Sequence, residues 1–246
     1  MLIQLKRIQL QISLSLKRIP NAFAFEFKFI RKNILALHGY YQSDVTFSAK
    51  IGSLRKAWKR NIEFTCVKAP HKARLPNSDE NIDENTQGYG WWCNNTKSEF
   101  NAKAKSPEAV GFQESVLLVE RIFDEKGPFD GILGFSQGAS FVAILCAMQQ
   151  RKLSNIRFNF AILISGFKSR CESHSVFYNE LLSIPCLHVY GTTDGIVPLD
   201  MSEDLAALFT NATKSIHDGG HFVPGKRDIY KDFIQRMLIM KENPSI

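Results

Sequence analysis

The sequence predicts an α/β fold, on three observations. Short apolar runs alternate with amphipathic segments from residue 33 onward. A serine between two glycines stands where one such run meets an apolar helix-like segment. The 246 residues, 44% hydrophobic and 22% charged, suit one soluble globular domain with a sizeable core. Strands alternating with helices imply a mostly parallel sheet covered on both faces, and near-continuous apolar strands agree, because such strands are buried on both sides.

Asn33–Leu37 (NILAL) reads as the first core strand and ends at His38-Gly39. Ser43–Lys59 follows as one helix, with Phe47, Ile51, Leu54 and Trp58 spaced by three and four. Ile62–Val67 is the next strand. Leu75–Ser106 is polar and irregular apart from Trp91-Trp92. Pro107–Lys126 reads as an amphipathic helix, Phe129–Leu133 as a strand, and Gln137–Gln150 as a mostly apolar helix. Phe158–Ile164, Cys186–Tyr190 and Lys214–His217 are further strands, and Val223–Met240 is a closing helix. No internal repeat is evident, and residues 33–246 need only one domain.

Residues 1–32 read as an N-terminal extension. Ile8, Leu10, Ile12, Leu14 and Leu16 alternate with polar residues, and Phe23, Phe25, Phe27 and Phe29 repeat the pattern. Period two argues for an added hairpin around Pro20-Asn21. The first 25 residues carry four basic residues and no acid, so an organelle-targeting peptide is the alternative reading.

The net charge of +7 is concentrated in this extension: Lys6, Arg7, Lys17, Arg18, Lys28, Arg31 and Lys32 are seven of the 31 basic residues, and Glu26 is one of the 24 acidic ones. The remainder carries 24 basic against 23 acidic residues. A nucleic-acid partner is therefore not expected, since the basic excess is not spread over the domain. No apolar run of about 18 residues occurs, so no transmembrane segment is expected. Five scattered cysteines, with no metal-ligand spacing among them, favour a reducing compartment and a cytoplasmic location, with the nucleus as another. No metal or cofactor is expected.

Gly134-Phe-Ser136-Gln-Gly138 fits G-x-S-x-G, preceded by an apolar strand and followed by an apolar helix. A nucleophile on a sharp strand-to-helix turn needs small neighbours two residues away, so that strand and helix can approach each other. The helix N-terminus there favours developing negative charge, which makes the Gln137 N–H one expected oxyanion donor.

A serine hydroxyl needs an adjacent base. Asp194 lies in the turn after strand Cys186–Tyr190, and His221 in the turn after strand Lys214–His217, matching the serine, acid, histidine order of this motif. Among the other histidines, His188 and His217 sit within strands, and His71 and His174 lie in polar loops without an acid partner. Asp130 lies at the wrong end of the nucleophile strand, Asp218 reads as a turn residue, and Asp200 opens a helix. Ser136, Asp194 and His221 are thus the expected triad. In Leu37-His38-Gly39-Tyr40-Tyr41 the loop after the first core strand is placed to supply the second oxyanion N–H, with Tyr40 as donor and Tyr41 as fallback. His38 is expected to hold that loop by hydrogen bonds.

With LALHGYYQS, KIGSLRKAW, Trp91-Trp92, GFSQGA, ISGF, GTTDGIVP and GGHFVP in this order, the chain resembles the FSH1-type serine hydrolases, which include the ovarian cancer-associated gene 2 (OVCA2) esterases. The resemblance covers about residues 33–240. It implies an α/β-hydrolase fold and carboxylic-ester hydrolysis without cofactor, with Ser136 as nucleophile, Asp194 as acid and His221 as base. It also implies a preference for long-chain alkyl or acyl esters. The departure is residues 1–32, because members of the group usually begin near the HG strand.

Substrate choice is expected to rest with residues 75–106, since long irregular segments in compact domains are usually functional. Trp91 and Trp92 either wall an acyl pocket or anchor the segment to the core, and Tyr41 and Val197 are further candidates to border the pocket. The expected partner is a small-molecule ester. A thioesterase, peptidase or lactonase on the same triad is the alternative within enzymes, and a non-catalytic binding protein on this fold is the alternative outside them.

Overall fold

Successive side chains of a strand point to opposite faces of its sheet, and here that alternation sorts the core into two layers. The computed structural model describes residues 31–75 and 87–239. In chain order these are β1 (Lys32–Leu37), α1 (Asp44–Lys50), α2 (Gly52–Trp58), β2 (Ile62–Val67), β3 (His71–Lys72) and β4 (Tyr89–Gly90). There follow α3 (Phe112–Lys126), β5 (Gly131–Phe135), α4 (Gln137–Gln150), β6 (Phe160–Ile164) and a 3-10 segment (Glu172–Tyr178). β7 (Cys186–Gly191), α5 (Leu199–Ala206), β8 (Ala212–His217) and α6 (Asp228–Ile239) complete the order.

Six strands pair in parallel in the order β2-β1-β5-β6-β7-β8. On one face Leu35, Leu37, Ile132, Ala161 and Leu163 pack with the apolar residues of α3 and α4. On the other, Ile34, Ala36, Leu133, Ile162 and Ile164 pack against Phe47, Leu54 and Trp58 of α1 and α2 and against Tyr230 and Phe233 of α6. This is the doubly covered parallel sheet that the sequence predicts. The register pairs Leu37 with Gly134 and Phe135 with Ile164, which brings the carboxyl ends of β1, β5 and β6 side by side. Ligand sites of open α/β sheets gather at such ends.

Several elements differ from the sequence reading: β6 begins at Phe160 instead of Phe158, β8 at Ala212 instead of Lys214 and α6 at Asp228 instead of Val223, and three further differences have a visible cause. The helix expected over Ser43–Lys59 breaks at the fully buried Ile51 (φ −86°, ψ 10°), ahead of Gly52. The helix expected from Pro107 starts at Phe112, because Val110 exchanges both backbone hydrogen bonds with Cys93 and Gly111 then takes a left-handed conformation (φ +83°). The nucleophile strand lies two residues later than expected. Asp130 is occupied below it, accepting from Lys32 Nζ at 2.6 Å and from the Asn33 N–H at 2.8 Å. The expected N-terminal hairpin falls on residues outside those described. Among the described residues no helix is long and apolar enough to cross a membrane.

Candidate active site

Ser136 links the last residue of β5 to the first of α4 and has φ +54°, ψ −118°. A non-glycine residue held there costs about 1–3 kcal/mol, so the surroundings must impose it. Its N–H donates to Ile164 O at 2.8 Å, and its carbonyl accepts the Ser140 N–H at 3.1 Å. The flanking glycines are a steric requirement. A Cβ on Gly134 would lie 2.4 Å from Gly138 O, and one on Gly138 would lie 2.4 Å from Leu37 O. Strand, elbow and helix therefore close only with glycine at both positions.

His221 Nε2 lies 3.0 Å from Ser136 Oγ, and His221 Nδ1 lies 2.7 Å from Asp194 Oδ2. The Asp194 side chain has no solvent exposure, and its second oxygen accepts the N–H groups of Ile196 (2.9 Å) and Val197 (2.8 Å). With three hydrogen bonds converging on the carboxylate, an acceptor, the imidazole takes the tautomer that donates from Nδ1 and accepts the serine proton at Nε2. The acid and histidine turns are stitched to one another by backbone: Thr192 N–H donates to His217 O and Thr193 N–H to Gly219 O, while Thr193 Oγ1 donates to Asp218 O. The arrangement can deprotonate Ser136 and hold the resulting imidazolium against a buried carboxylate.

On the other side of Ser136, the loop after β1 approaches so closely that a Cβ on Gly39 would lie 3.2 Å from Ser136 Cβ. His38 is fully buried, donates from Nδ1 to Gly39 O at 2.7 Å and accepts the Ala69 N–H on Nε2 at 3.0 Å. Desolvation lowers its pKa to about 4, which keeps the ring neutral, and the Ala69 N–H on Nε2 sets the tautomer. Its expected role as a loop brace agrees with these contacts. The N–H groups of Tyr40 and Gln137 have no acceptor among the described residues. The Tyr41 N–H, by contrast, donates to Tyr89 O at 2.9 Å, which removes Tyr41 as the fallback donor.

The pocket-wall reading of the tryptophan pair gives way to the anchor reading. Trp91 and Trp92 have 0% exposure and belong to the core. Trp91 Nε1 donates to His38 O at 2.8 Å, and Ser115 Oγ donates to Trp91 O at 2.6 Å. Trp92 packs edge-on against Phe100, Phe112 and His174. Val197 is also buried and contributes its N–H to Asp194 instead of an exposed wall. Tyr41 is half-buried, with φ +62°. The sequence reading missed the side chains of Tyr40 and Gln137. The Tyr40 hydroxyl lies 2.6 Å from the carbonyls of both Arg74 and Ser98. The Gln137 amide accepts the Trp91 N–H at 2.9 Å and donates to Trp92 O at 2.7 Å. Their partners lie 34 to 58 residues away, where no local pattern could point to them.

A family model described as serine hydrolase (FSH1) matches residues 29–233. Esterase OVCA2 of Danio rerio is 41% identical over 219 residues, covering 82% of this chain and 96% of the relative. Esterase CG5412 of Drosophila melanogaster is 44% identical over 202 residues, covering 82% of this chain and 71% of the relative. Among solved structures, acyl-protein thioesterase 2 of Zea mays shares 18% identity at a TM-score of 0.59, covering 85% of this chain and 94% of that one. Esterase PE8 shares 18% identity at a TM-score of 0.57, covering 84% and 93%. These structural likenesses show the α/β-hydrolase fold. With most of its length inside the family model and relatives named esterases above 40% identity, the chain belongs to the FSH1 serine hydrolase family.

Proposed function

We propose that the protein hydrolyses carboxylic esters through an acyl-enzyme on Ser136. The observation that carries this reading is the unbroken hydrogen-bonded chain Ser136 Oγ, His221, Asp194 at 3.0 and 2.7 Å. Ser136 Oγ attacks the ester carbonyl carbon while its proton passes to His221 Nε2. Asp194 orients the imidazole and stabilises its cation. The N–H groups of Gln137 and Tyr40 receive the carbonyl oxygen as it becomes an oxyanion. The tetrahedral intermediate collapses, its C–O bond to the alcohol breaks, and His221 gives its proton to the departing alkoxide. Water, deprotonated by His221, then attacks the acyl-enzyme and releases the acid and free Ser136. General base action is worth about 10²–10⁴ in rate, and one oxyanion donor about 10²–10³.

The preferred substrates are long-chain alkyl or acyl esters, a reading supported by the family resemblance. The same machinery would cleave a thioester, and the acyl-protein thioesterase of similar fold makes that the bond to compare. The test is fluorophosphonate labelling of the protein and its Ser136→Ala variant, followed by assay of p-nitrophenyl esters of increasing chain length beside matched thioesters. Labelling and turnover are expected to vanish with Ser136→Ala, with the highest rate on long acyl esters. An unlabelled native protein would sink the hydrolase reading. A rate that peaks with short chains, or higher kcat/KM for thioesters, would overturn the substrate assignment.

A further inference from the structure

We propose that residues 89–92 act as a splint for the oxyanion hole, with the side chains of Tyr40 and Gln137 as the positioning residues that fix its two N–H donors. The proposal rests on the acyl-transfer reading above. The donor N–H groups come from opposite sides of the site, a loop after β1 and the first turn of α4, and among the described residues no hydrogen bond joins the two. Each is tied instead to one four-residue segment. Tyr89 O accepts the Tyr41 N–H at 2.9 Å, and the Tyr89 N–H donates to Gln42 O at 2.8 Å, so the donor loop is paired with β4 through one isolated antiparallel bridge. That pairing engages the neighbour of the Tyr40 N–H and leaves the donor itself without an acceptor among the described residues. The Gln137 side chain, fully buried, spans the Trp91 N–H and Trp92 O.

Gly90 stands between the two ties. A Cβ there would lie 2.7 Å from the Tyr40 ring and 3.3 Å from Gln137 Oε1. Tyr40 adds the outer brace: its ring packs on Phe100 at 5.2 Å between centroids, and its hydroxyl accepts the Arg74 N–H at 3.1 Å while donating to a carbonyl of Arg74 or Ser98. Burial raises the pKa of this hydroxyl above its ordinary value, so it stays a donor at any working pH. The loop needs bracing, because Tyr41 beside the donor holds a left-handed conformation that favours glycine.

Spacing between two donors set by one packed segment is preorganisation: the hole does not reorganise as charge develops, and the gain falls on the transition state more than on bound substrate. Loosening a tie therefore lowers kcat more than it changes KM.

The test uses the full chain with Tyr40→Phe and Gly90→Ala. An ester substrate reports kcat and KM. An alkyl boronic acid reports the hole, because its tetrahedral serine adduct places an oxygen where the oxyanion forms. For Tyr40→Phe, kcat is expected to fall about 10- to 100-fold, short of the loss of a whole donor, with boronate affinity falling in parallel and KM within about twofold. Gly90→Ala is expected to move the same two readouts in the same direction. Unchanged kcat and boronate affinity in a folded variant would overturn the splint, as would a fall in kcat with boronate affinity retained. If Tyr40→Phe does not fold, Gly90→Ala and Gln137→Met decide on the same readouts. Fluorophosphonate labelling separates the two levels. No labelling of the unaltered protein removes the acyl-transfer reading, whereas labelling intact beside unchanged kcat in the variants removes the splint alone.

Discussion

The acid and histidine turns and the segment 87–106 flank the same serine, yet they are built differently. Asp194 and His221 sit in short turns directly after β7 and β8, whose parallel pairing runs to Gly191 and His217. Those turns are joined backbone to backbone, and the carboxylate is satisfied by N–H groups two and three residues on. Segment 87–106 has one two-residue strand and is held by side chains and isolated bridges reaching Tyr40, Gln137, Ser115 and Val110. The difference teaches that the sheet itself positions Asp194 and His221, while the geometry opposite them depends on long-range side-chain hydrogen bonds and isolated backbone bridges.

The largest expected effect breaks the sheet-delivered side. Asp194→Asn presents an amide to His221 Nδ1, which favours the wrong tautomer, so kcat should fall about 10³–10⁴-fold with the fold intact. Steady-state kinetics on a nitrophenyl ester measure it, and a loss under tenfold would mean that Asp194 does not orient His221. On the side of segment 87–106, Trp92→Ala should cost about 3–5 kcal/mol of stability, the usual range for a buried large aromatic. Chemical denaturation checks the value. The surviving folded enzyme should keep its chain-length preference, and a changed preference would restore the pocket-wall reading of Trp92.

Acid should come next. Burial lowers the pKa of His38 and His174 to about 4 and of His188 to about 3, all below the ordinary value of 6.5. As pH falls, the unfolded chain takes up these protons first. The stability from keeping the rings neutral is complete above about 6.5 and is lost progressively toward 4. The melting temperature should drop by at least about 5 °C between pH 7 and 4.5, and a flat profile would contradict the buried neutral state. The smallest effect concerns the bridge between the two regions, where Lys103 Nζ donates to Gly195 O at 3.0 Å across exposed surface. Lys103→Ala should change kcat by less than about twofold and leave stability within about 0.5 kcal/mol. A larger loss would show that the turn holding Asp194 leans on segment 87–106 after all.

Legibility in the sequence follows the same division. Strand Ile62–Val67 and helix Gln137–Gln150 have the bounds that periodicity predicts, because their apolar pattern and their burial have one cause. Ser136 directly follows β5, and Asp194 and His221 lie in the turns after β7 and β8, so order and spacing alone pointed to them as candidates. The start of α3 was not legible, since the long-range pairing of Val110 with Cys93 overrides helix propensity at 107–111. Neither was the Tyr40 hydroxyl, whose carbonyl partners belong to Arg74 and Ser98 and carry no residue-type signal.

Helix α4 has a further consequence. Twelve consecutive residues from Gln137 to Met148 are buried, and β5 ahead of it is buried throughout. Backbone amides in such an element exchange with solvent deuterium only through opening of the whole domain. Ser136 is thus carried between two elements expected to be among the slowest to exchange. Local fluctuations elsewhere leave Ser136 in place, and heat should abolish its labelling only at the temperature where the sheet itself comes apart.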